Sequence, residues 1–120
     1  MKFLFSFLAL LLLLAIASAQ APPPPSAVLT WTAPTTNTDG TPIIGAITYN
    51  VYQGLTAASL VQVATGVTAL TQTITTGLVD GTTYYWSVTA VAGGNESARS
   101  NVVSKVFAAG TPNTVTLTVK

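Results

Sequence analysis

The clearest pattern in the chain is a strict alternation of side chains that begins just after Asp80-Gly81. Asp bonds its own backbone and Gly accepts a positive φ, so this pair favours a turn. One parity of the segment that follows carries Tyr84, Trp86, Val88 and Ala90. The other parity carries Tyr85, Ser87, Thr89 and Val91. A period of two residues predicts a β-strand with one buried face.

Similar short segments, separated by Gly, Pro and polar turns, occur along most of the chain. They lie at residues 27–34, 47–54, 59–64, 72–78 and 100–107. Their inward parity assigns Trp31, Tyr49 and Val51 to the core, together with Tyr84, Trp86 and Val88. Beyond the apolar N-terminus no segment has the 3.6-residue period of an amphipathic helix. The pattern therefore predicts an all-β fold built from antiparallel sheets.

Several of these segments are similar to one known family. The pattern L-x-x-G-T-x-Y-x-W-x-V-x-A at 78–90, followed by E-S-A-R-S-N at 96–101, resembles the second half of a fibronectin type III domain. The Y-x-V-Y segment at 49–52 resembles its third strand. The resemblance covers about residues 27–107 and implies an immunoglobulin-like β-sandwich. It also implies a tyrosine corner, in which the Tyr84 hydroxyl bonds the backbone of the preceding turn.

Residues 1–19 have the pattern of a secretory signal peptide. A single cation, Lys2, precedes a long apolar stretch, and Ala17-Ser-Ala19 forms an A-x-A cleavage site. We therefore expect export and cleavage before Gln20. The alternative is a retained membrane anchor, for which the apolar stretch lies at the lower length limit of a span. Residues 20–26 are rich in proline and are expected to form a stiff spacer.

The domain is expected to occupy residues 27–108, and an additional strand is expected within 109–120. Alternation in that last segment places Val115, Leu117 and Val119 on one face. The family's first strand would precede Val28, where four prolines stand instead, and proline supplies no ladder donor. We expect the segment to lie along a sheet edge in the place of that first strand, with the three apolar side chains buried.

Two interpretations of this C-terminal strand are open. In the first, it is either the remnant of a lost repeat or a cover strand of its own domain. In the second, it is given to a neighbouring subunit by β-augmentation. The second interpretation makes Val115, Leu117 and Val119 a strand-exchange segment and predicts self-association.

The composition argues against catalysis. The chain has no Cys, no His and three acidic residues. Without imidazole or thiolate there is no serine triad of the usual kind, no thiol nucleophile and no soft-metal site. Asp39 and Asp80 each precede a Gly in an expected turn, and Glu96 is expected in an exposed loop. We predict no enzyme activity, no cofactor and no metal.

The charge distribution limits the class of partner. Once the leader is removed, three cations and three acids remain, so the mature chain is neutral. A neutral surface gives no electrostatic attraction for nucleic acid or anionic lipid. The 21 threonines supply polar, β-branched surface instead.

The expected function is that of a non-enzymatic extracellular or virion-surface module for binding or spacing. The resemblance implies it, because Thr-rich, Cys-free domains of this family occur in bacterial exported proteins and phage particles. Tyr52 and Tyr85 have outward parity and are the candidate binding residues, for a protein or a cell-surface glycan. A cross-strand tyrosine pair that only stabilises the sheet is the competing interpretation. Alternative functions are a structural subunit that exchanges its C-terminal strand and an accessory carbohydrate-binding domain.

Overall fold

The structure is a computed structural model that describes residues 23–108 and 114–119. The predicted leader and the first part of the proline-rich spacer lie outside these residues. Within the described residues there are eight strands: β1 Ser26–Trp31, β2 Ile47–Thr56, β3 Ser59–Val67, β4 Thr71–Ile74, β5 Thr83–Ala92, β6 Asn95–Glu96, β7 Val103–Val106 and β8 Thr114–Val119. Within the described ranges no helix combines the length and the apolar character that a membrane crossing needs.

The strands form two sheets. The smaller sheet has the order β4-β1-β8, and the larger has the order β3-β2-β5-β6, with β7 also paired to β5. Every pair is antiparallel except β1–β8, which is parallel. The all-β architecture predicted from the alternation is therefore confirmed. Several bounds differ from the sequence pattern; for example, β1 already begins at Ser26 and β3 continues to Val67.

The core lies between the two sheets and is built from alternate residues of each strand. All six side chains that the alternation assigned to it are buried: Trp31, Tyr49, Val51, Tyr84, Trp86 and Val88. Phe107 joins them, with its ring centroid 6.3 Å from that of Trp86 and the two planes at 82°. This contact decides the parity of β7, because Phe107 at its end is buried and Val106 is exposed.

The turn before β5 is a tyrosine corner. The backbone N–H of Val79 donates to the Tyr84 hydroxyl at 3.0 Å. Gly81 has a φ of +83°, which only glycine adopts without strain. The backbone N–H of Phe107 donates to the carbonyl of Thr82 at 3.1 Å, which ties the end of the last strand to the same turn. The predicted corner is therefore confirmed.

The C-terminal strand lies along an edge of the smaller sheet. Its register with β1 runs from Ser26 opposite Thr114 to Trp31 opposite Val119. Val119 is 1% exposed and belongs to the core, and Leu117 is half-buried against it. In the structure β8 docks at the edge of the smaller sheet, paired to β1 of the same chain. The side chain of Val115 lies outside the described part, as does the connection 109–113.

Candidate binding surface on the larger sheet

The pairing of β2 with β5 determines which side chains share the outer face of the larger sheet. Trp86 and Val88 point into the core, so their neighbours of opposite parity face outward. The opposed pairs on this face are Asn50 with Thr89, Tyr52 with Ser87, and Gly54 with Tyr85. Tyr52 and Tyr85 are therefore diagonal neighbours on the outer face, and both are half-buried.

Glu96 lies at the centre of a hydrogen-bond network on this face. Its Oε1 accepts from the Thr89 hydroxyl at 2.6 Å, from Asn50 Nδ2 at 3.2 Å and from the Tyr52 hydroxyl. The Asn50 side-chain oxygen in turn accepts from the Thr65 hydroxyl at 2.8 Å. Four strands, β2, β3, β5 and β6, thus contribute to one polar network.

The expectation that Glu96 lies in a loop was wrong, although its side chain is exposed as expected. Glu96 belongs to β6 and pairs with Val91 of β5. The reason is the turn at Gly93-Gly94, where both residues have positive φ and the chain reverses at once. The strand therefore restarts at Asn95, and the carboxylate is carried back over the sheet instead of projecting from a loop.

Arg99 completes the network from the segment between β6 and β7. Its guanidinium carbon lies 4.5 Å from the centroid of the Tyr52 ring, a cation–π contact. Its Nη2 also donates to the carbonyl of Leu60 at 3.4 Å. One ring face of Tyr52 is thus covered and its hydroxyl is engaged, so Tyr52 acts as part of a cluster. We call this set the outer-face cluster: Asn50, Tyr52, Thr65, Thr89, Glu96 and Arg99.

The cluster keeps Glu96 ionised. The hydrogen bond from Thr89 is the largest cause that lowers the pKa of Glu96, followed by those from Tyr52 and Asn50, and the Arg99 charge acts in the same direction. These three bonds all end on Oε1, and within the described ranges no hydrogen bond reaches the other carboxylate oxygen. An acceptor and a cation are therefore held side by side on a solvent-facing surface.

Some side chains on the outer face of the larger sheet are buried beneath the exposed residues of the cluster. Ser87 is fully buried although it points away from the core, and its hydroxyl has no partner among the described residues. Asn50 and Thr89 are also buried, at 8% and 3% exposed. Side chains of the outer face thus cover one another, and the cluster lies flat on the sheet.

Asp39 is explained by its local structure. Asp39 accepts from the Thr41 hydroxyl at 2.6 Å and from the Thr41 backbone N–H at 3.0 Å, as an Asp-Gly turn requires. The described part of the chain contains no group of three or more His, Cys, Asp or Glu residues placed to hold a metal ion. The arrangement at the outer face is thus suited to recognition by hydrogen bonds and ring contacts.

Two facing sheets, antiparallel apart from the β1–β8 pair, together with a buried tryptophan and a tyrosine corner, place the protein in the immunoglobulin-like class of β-sandwich. Within that class, the protein has the fold of a fibronectin type III domain. The sixth fibronectin type III domain from human fibronectin type III domain containing protein 3 is similar, with a TM-score of 0.53 and 25% identity over 80% of this chain and 95% of that chain. Domains of this fold are generic modules and are generally not catalytic.

A second solved structure, an Fn3-like protein from Clostridium thermocellum, is 24% identical over 86% of this chain and 97% of that chain, with a TM-score of 0.47. No protein-family model matches the sequence. No curated protein matches it either.

Sequence reasoning found Tyr52 and Tyr85 but missed the residues that surround Tyr52. Asn50 and Tyr52 have the same parity, so the sequence predicts that they share one face of the sheet. Nothing in the sequence indicates which residues lie opposite them. Glu96 and Arg99 are more than forty positions away in the chain, and only strand register brings them to Tyr52. The strand-exchange residues Leu117 and Val119 lie on the opposite sheet, so the two candidate regions are separate surfaces.

Proposed function

We propose that this protein is an exported, non-enzymatic module that binds a protein or a cell-surface glycan through the outer-face cluster. The observation that carries the proposal is that an ionised Glu96 and Arg99 both contact Tyr52 on an exposed sheet surface.

The cluster is organised before any partner arrives. Three hydrogen bonds fix Glu96, and a ring and a carbonyl fix Arg99. Side chains that are already ordered lose little conformational entropy on association, which raises affinity. Arg and Tyr are also enriched among the residues that dominate interface energies. The cluster is therefore better suited to binding than a set of freely moving surface side chains.

The N-terminal sequence supports an extracellular location for this module. A leader with an A-x-A site, followed by a proline-rich stretch, would release the domain with a stiff spacer ahead of it. Mass spectrometry of the exported chain should find Gln20 at its N-terminus. Intact residues 1–19 in the membrane fraction would favour the anchored form instead.

Arg99→Ala tests the binding surface, and Lys105→Ala is the matched control. Lys105 carries the same charge on the same sheet but lies outside the cluster. The purified wild-type and variant proteins are applied to a glycan array and to intact cells of the source organism, and their binding is measured. We expect wild type and Lys105→Ala to bind alike and Arg99→Ala to bind about tenfold more weakly, which corresponds to about 1.4 kcal/mol.

Each outcome of this experiment distinguishes among the functions. Signal on the glycan array that is lost in Arg99→Ala supports the carbohydrate-binding alternative, whereas signal on cells alone supports a protein partner. Equal binding by all three proteins would show that the outer-face cluster is not the binding surface. Thermal unfolding of the variants separates loss of binding from loss of fold.

A structural subunit that exchanges β8 is the second candidate. The observation that favours it is that β8 docks on β1 in parallel, from a remote part of the chain, where the sheet would otherwise end. A neighbour's β8 could occupy the same edge with the same register. Size-exclusion chromatography at rising concentration should then give oligomers for the full chain and monomers after removal of residues 109–120. Monomers in both cases would exclude exchange.

A further inference from the structure

The outer-face cluster holds two opposite charges that are not joined to each other. Glu96 and Arg99 both contact Tyr52, the first at its hydroxyl and the second at its ring. Both charged side chains are exposed. Among the described residues no ion pair links them, because no oxygen of the one lies within 4.0 Å of a nitrogen of the other. Both charges therefore remain available to a ligand.

Each charged group also keeps hydrogen-bonding capacity that the described residues do not use. Three bonds end on Glu96 Oε1 and none on Oε2. Arg99 donates through Nη2 to the Leu60 carbonyl at 3.4 Å, and within the same ranges its other guanidinium N–H groups have no acceptor. Since a guanidinium carries five N–H donors, several of them are open. The surface thus offers one strong acceptor and several donors.

Tyr85 supplies an aromatic ring on the same face. The residue directly opposite it on β2 is Gly54, which has no side chain to cover the ring. No larger residue fits there, because a Cβ on Gly54 would collide with the Ser59 carbonyl oxygen. Within the described ranges the Tyr85 ring makes no aromatic or cation–π contact, and its hydroxyl makes no hydrogen bond. Tyr85 is therefore the ring on which a ligand can stack.

The spacing of these groups sets the length of the ligand. Tyr85 and Thr89 lie four residues apart on β5, which is about 13 Å along an extended strand. Glu96 is bonded to Thr89, and Arg99 covers Tyr52, which pairs with the residue midway between the two. The ring, the cation and the carboxylate thus follow one another along the face. A ligand that reaches all three must be longer than a single sugar or amino-acid residue.

The balance of charge favours a neutral ligand. An anion attracted to Arg99 is repelled by Glu96, and a cation meets the reverse. A hydroxyl both donates and accepts, so one kind of group satisfies both side chains. Building on the function proposed above, we propose that the ligand of the outer-face cluster is a neutral oligosaccharide. One sugar stacks on the Tyr85 ring, and hydroxyls of the following sugars donate to Glu96 Oε2 and accept from Arg99.

A peptide fits this surface less well. An extended peptide adds to a sheet at its edge, where backbone groups are unpaired. The cluster lies over β2 and β5, which are inner strands of the larger sheet. A peptide there would find no ladder partner for its own N–H and C=O groups, whereas sugar hydroxyls need only the side chains of the cluster.

Periodate treatment distinguishes the two kinds of partner, because periodate cleaves the carbon–carbon bond between vicinal hydroxyls and leaves peptide bonds intact. The purified protein is applied to intact cells of the source organism after treatment with periodate, with a protease or with buffer alone. We expect periodate to weaken binding by about tenfold or more. Binding that survives periodate and is lost after protease would overturn the proposal, while the proposed function would stand with a protein partner. Absence of binding to untreated cells would refute the proposed function itself.

Two variants and a salt series complete the test. Tyr85→Ala should bind about tenfold more weakly, and Tyr85→Phe, which keeps the ring, should bind nearly as wild type. Val79→Ala is the control, since Val79 is 60% exposed and lies in the turn before β5. Binding should change by less than about twofold between low and high sodium chloride, because the ligand is neutral. Equal binding by Tyr85→Ala and wild type, or a steep fall of binding with salt, would overturn the proposal.

Discussion

At the scale of single residues, Trp86 shows how one side chain serves both the core and the sheet. It is fully buried, its ring meets Phe107 edge-on, and its indole N–H is bonded to Gln53 of the neighbouring strand. The polar atom is therefore satisfied while the ring fills the space between the sheets. The sequence predicted this burial correctly because Trp86 lies in the middle of an uninterrupted alternation.

Replacement of Trp86 by Ala should lower the free energy of unfolding by about 3–5 kcal/mol, because it leaves a large cavity. The measurement is urea denaturation followed by circular dichroism. Val61→Ala is the control, since Val61 is 66% exposed and its loss should change stability by less than about 0.5 kcal/mol. Equal midpoints for Trp86→Ala and wild type would contradict the assignment of Trp86 to the core.

Glu96 gives the fold a dependence on acid pH. Its pKa is lowered in the folded state, so the unfolded chain binds the proton more tightly and stability rises with pH across the carboxylate range. The contribution is complete above the ordinary value of 4.5 and is lost as pH falls through the lowered value. Glu96→Gln should therefore flatten the acid side of a plot of melting temperature against pH.

A second carboxyl allows the same kind of test. Asp39 is held by Thr41, and its pKa is also lowered in the folded state. Asp39→Asn should therefore flatten the acid slope in part. An unchanged slope in Glu96→Gln would mean that its hydrogen bonds do not persist in solution.

At the scale of secondary-structure elements, β8 depends on tertiary packing for its stability. A six-residue strand has no stable structure alone, and β8 gains its ladder from β1 and its burial from Val119. The sequence predicted a strand here and its docking on an edge, because clean alternation and a missing first strand were both visible. It did not determine that the pairing is parallel.

Val119→Ala should destabilise the domain by about 2 kcal/mol, since two buried carbon atoms are lost at about 0.8 kcal/mol each and a small cavity remains. Amide hydrogen exchange should then quicken across residues 114–119 before it quickens in β5. Thr116→Ala, on the exposed side of the same strand, should change neither measurement by much. Exchange at 114–119 that is already free in the wild type would refute docking.

The larger sheet shows that the sequence of a strand does not determine its length or its register with a neighbouring strand. β5 was predicted almost in full, since its alternation is unbroken. β3 pairs with β2 through register shifts, and these place Val51 opposite Ala64 but Tyr52 opposite Gln62. Such an irregularity displaces one residue from the ladder and leaves little trace in the hydrophobic pattern. The sequence therefore predicted the start of β3 but not its length.

At the scale of the whole molecule, the balance of charge predicts weak dependence on salt. The chain without its leader carries three cations and three acids, so long-range electrostatic energy is small. The melting temperature at low and at high sodium chloride should agree within about 2 °C, which corresponds to less than about 0.5 kcal/mol for a domain of this size. A large rise or fall of the melting temperature with salt would indicate that the charges of the outer-face cluster contribute more to stability than their exposure implies.

The sequence by itself determined the fold class, the core side chains and the tyrosine corner. These follow from local rules: a period of two residues separates the faces of a strand, and Asp-Gly marks a turn. The tertiary structure decided the surroundings of Tyr52 and the parallel pairing of β8 with β1. Each of these joins residues that are remote in the chain. Strand register sets such contacts, and register depends on how two sheets bury their faces together rather than on any one segment.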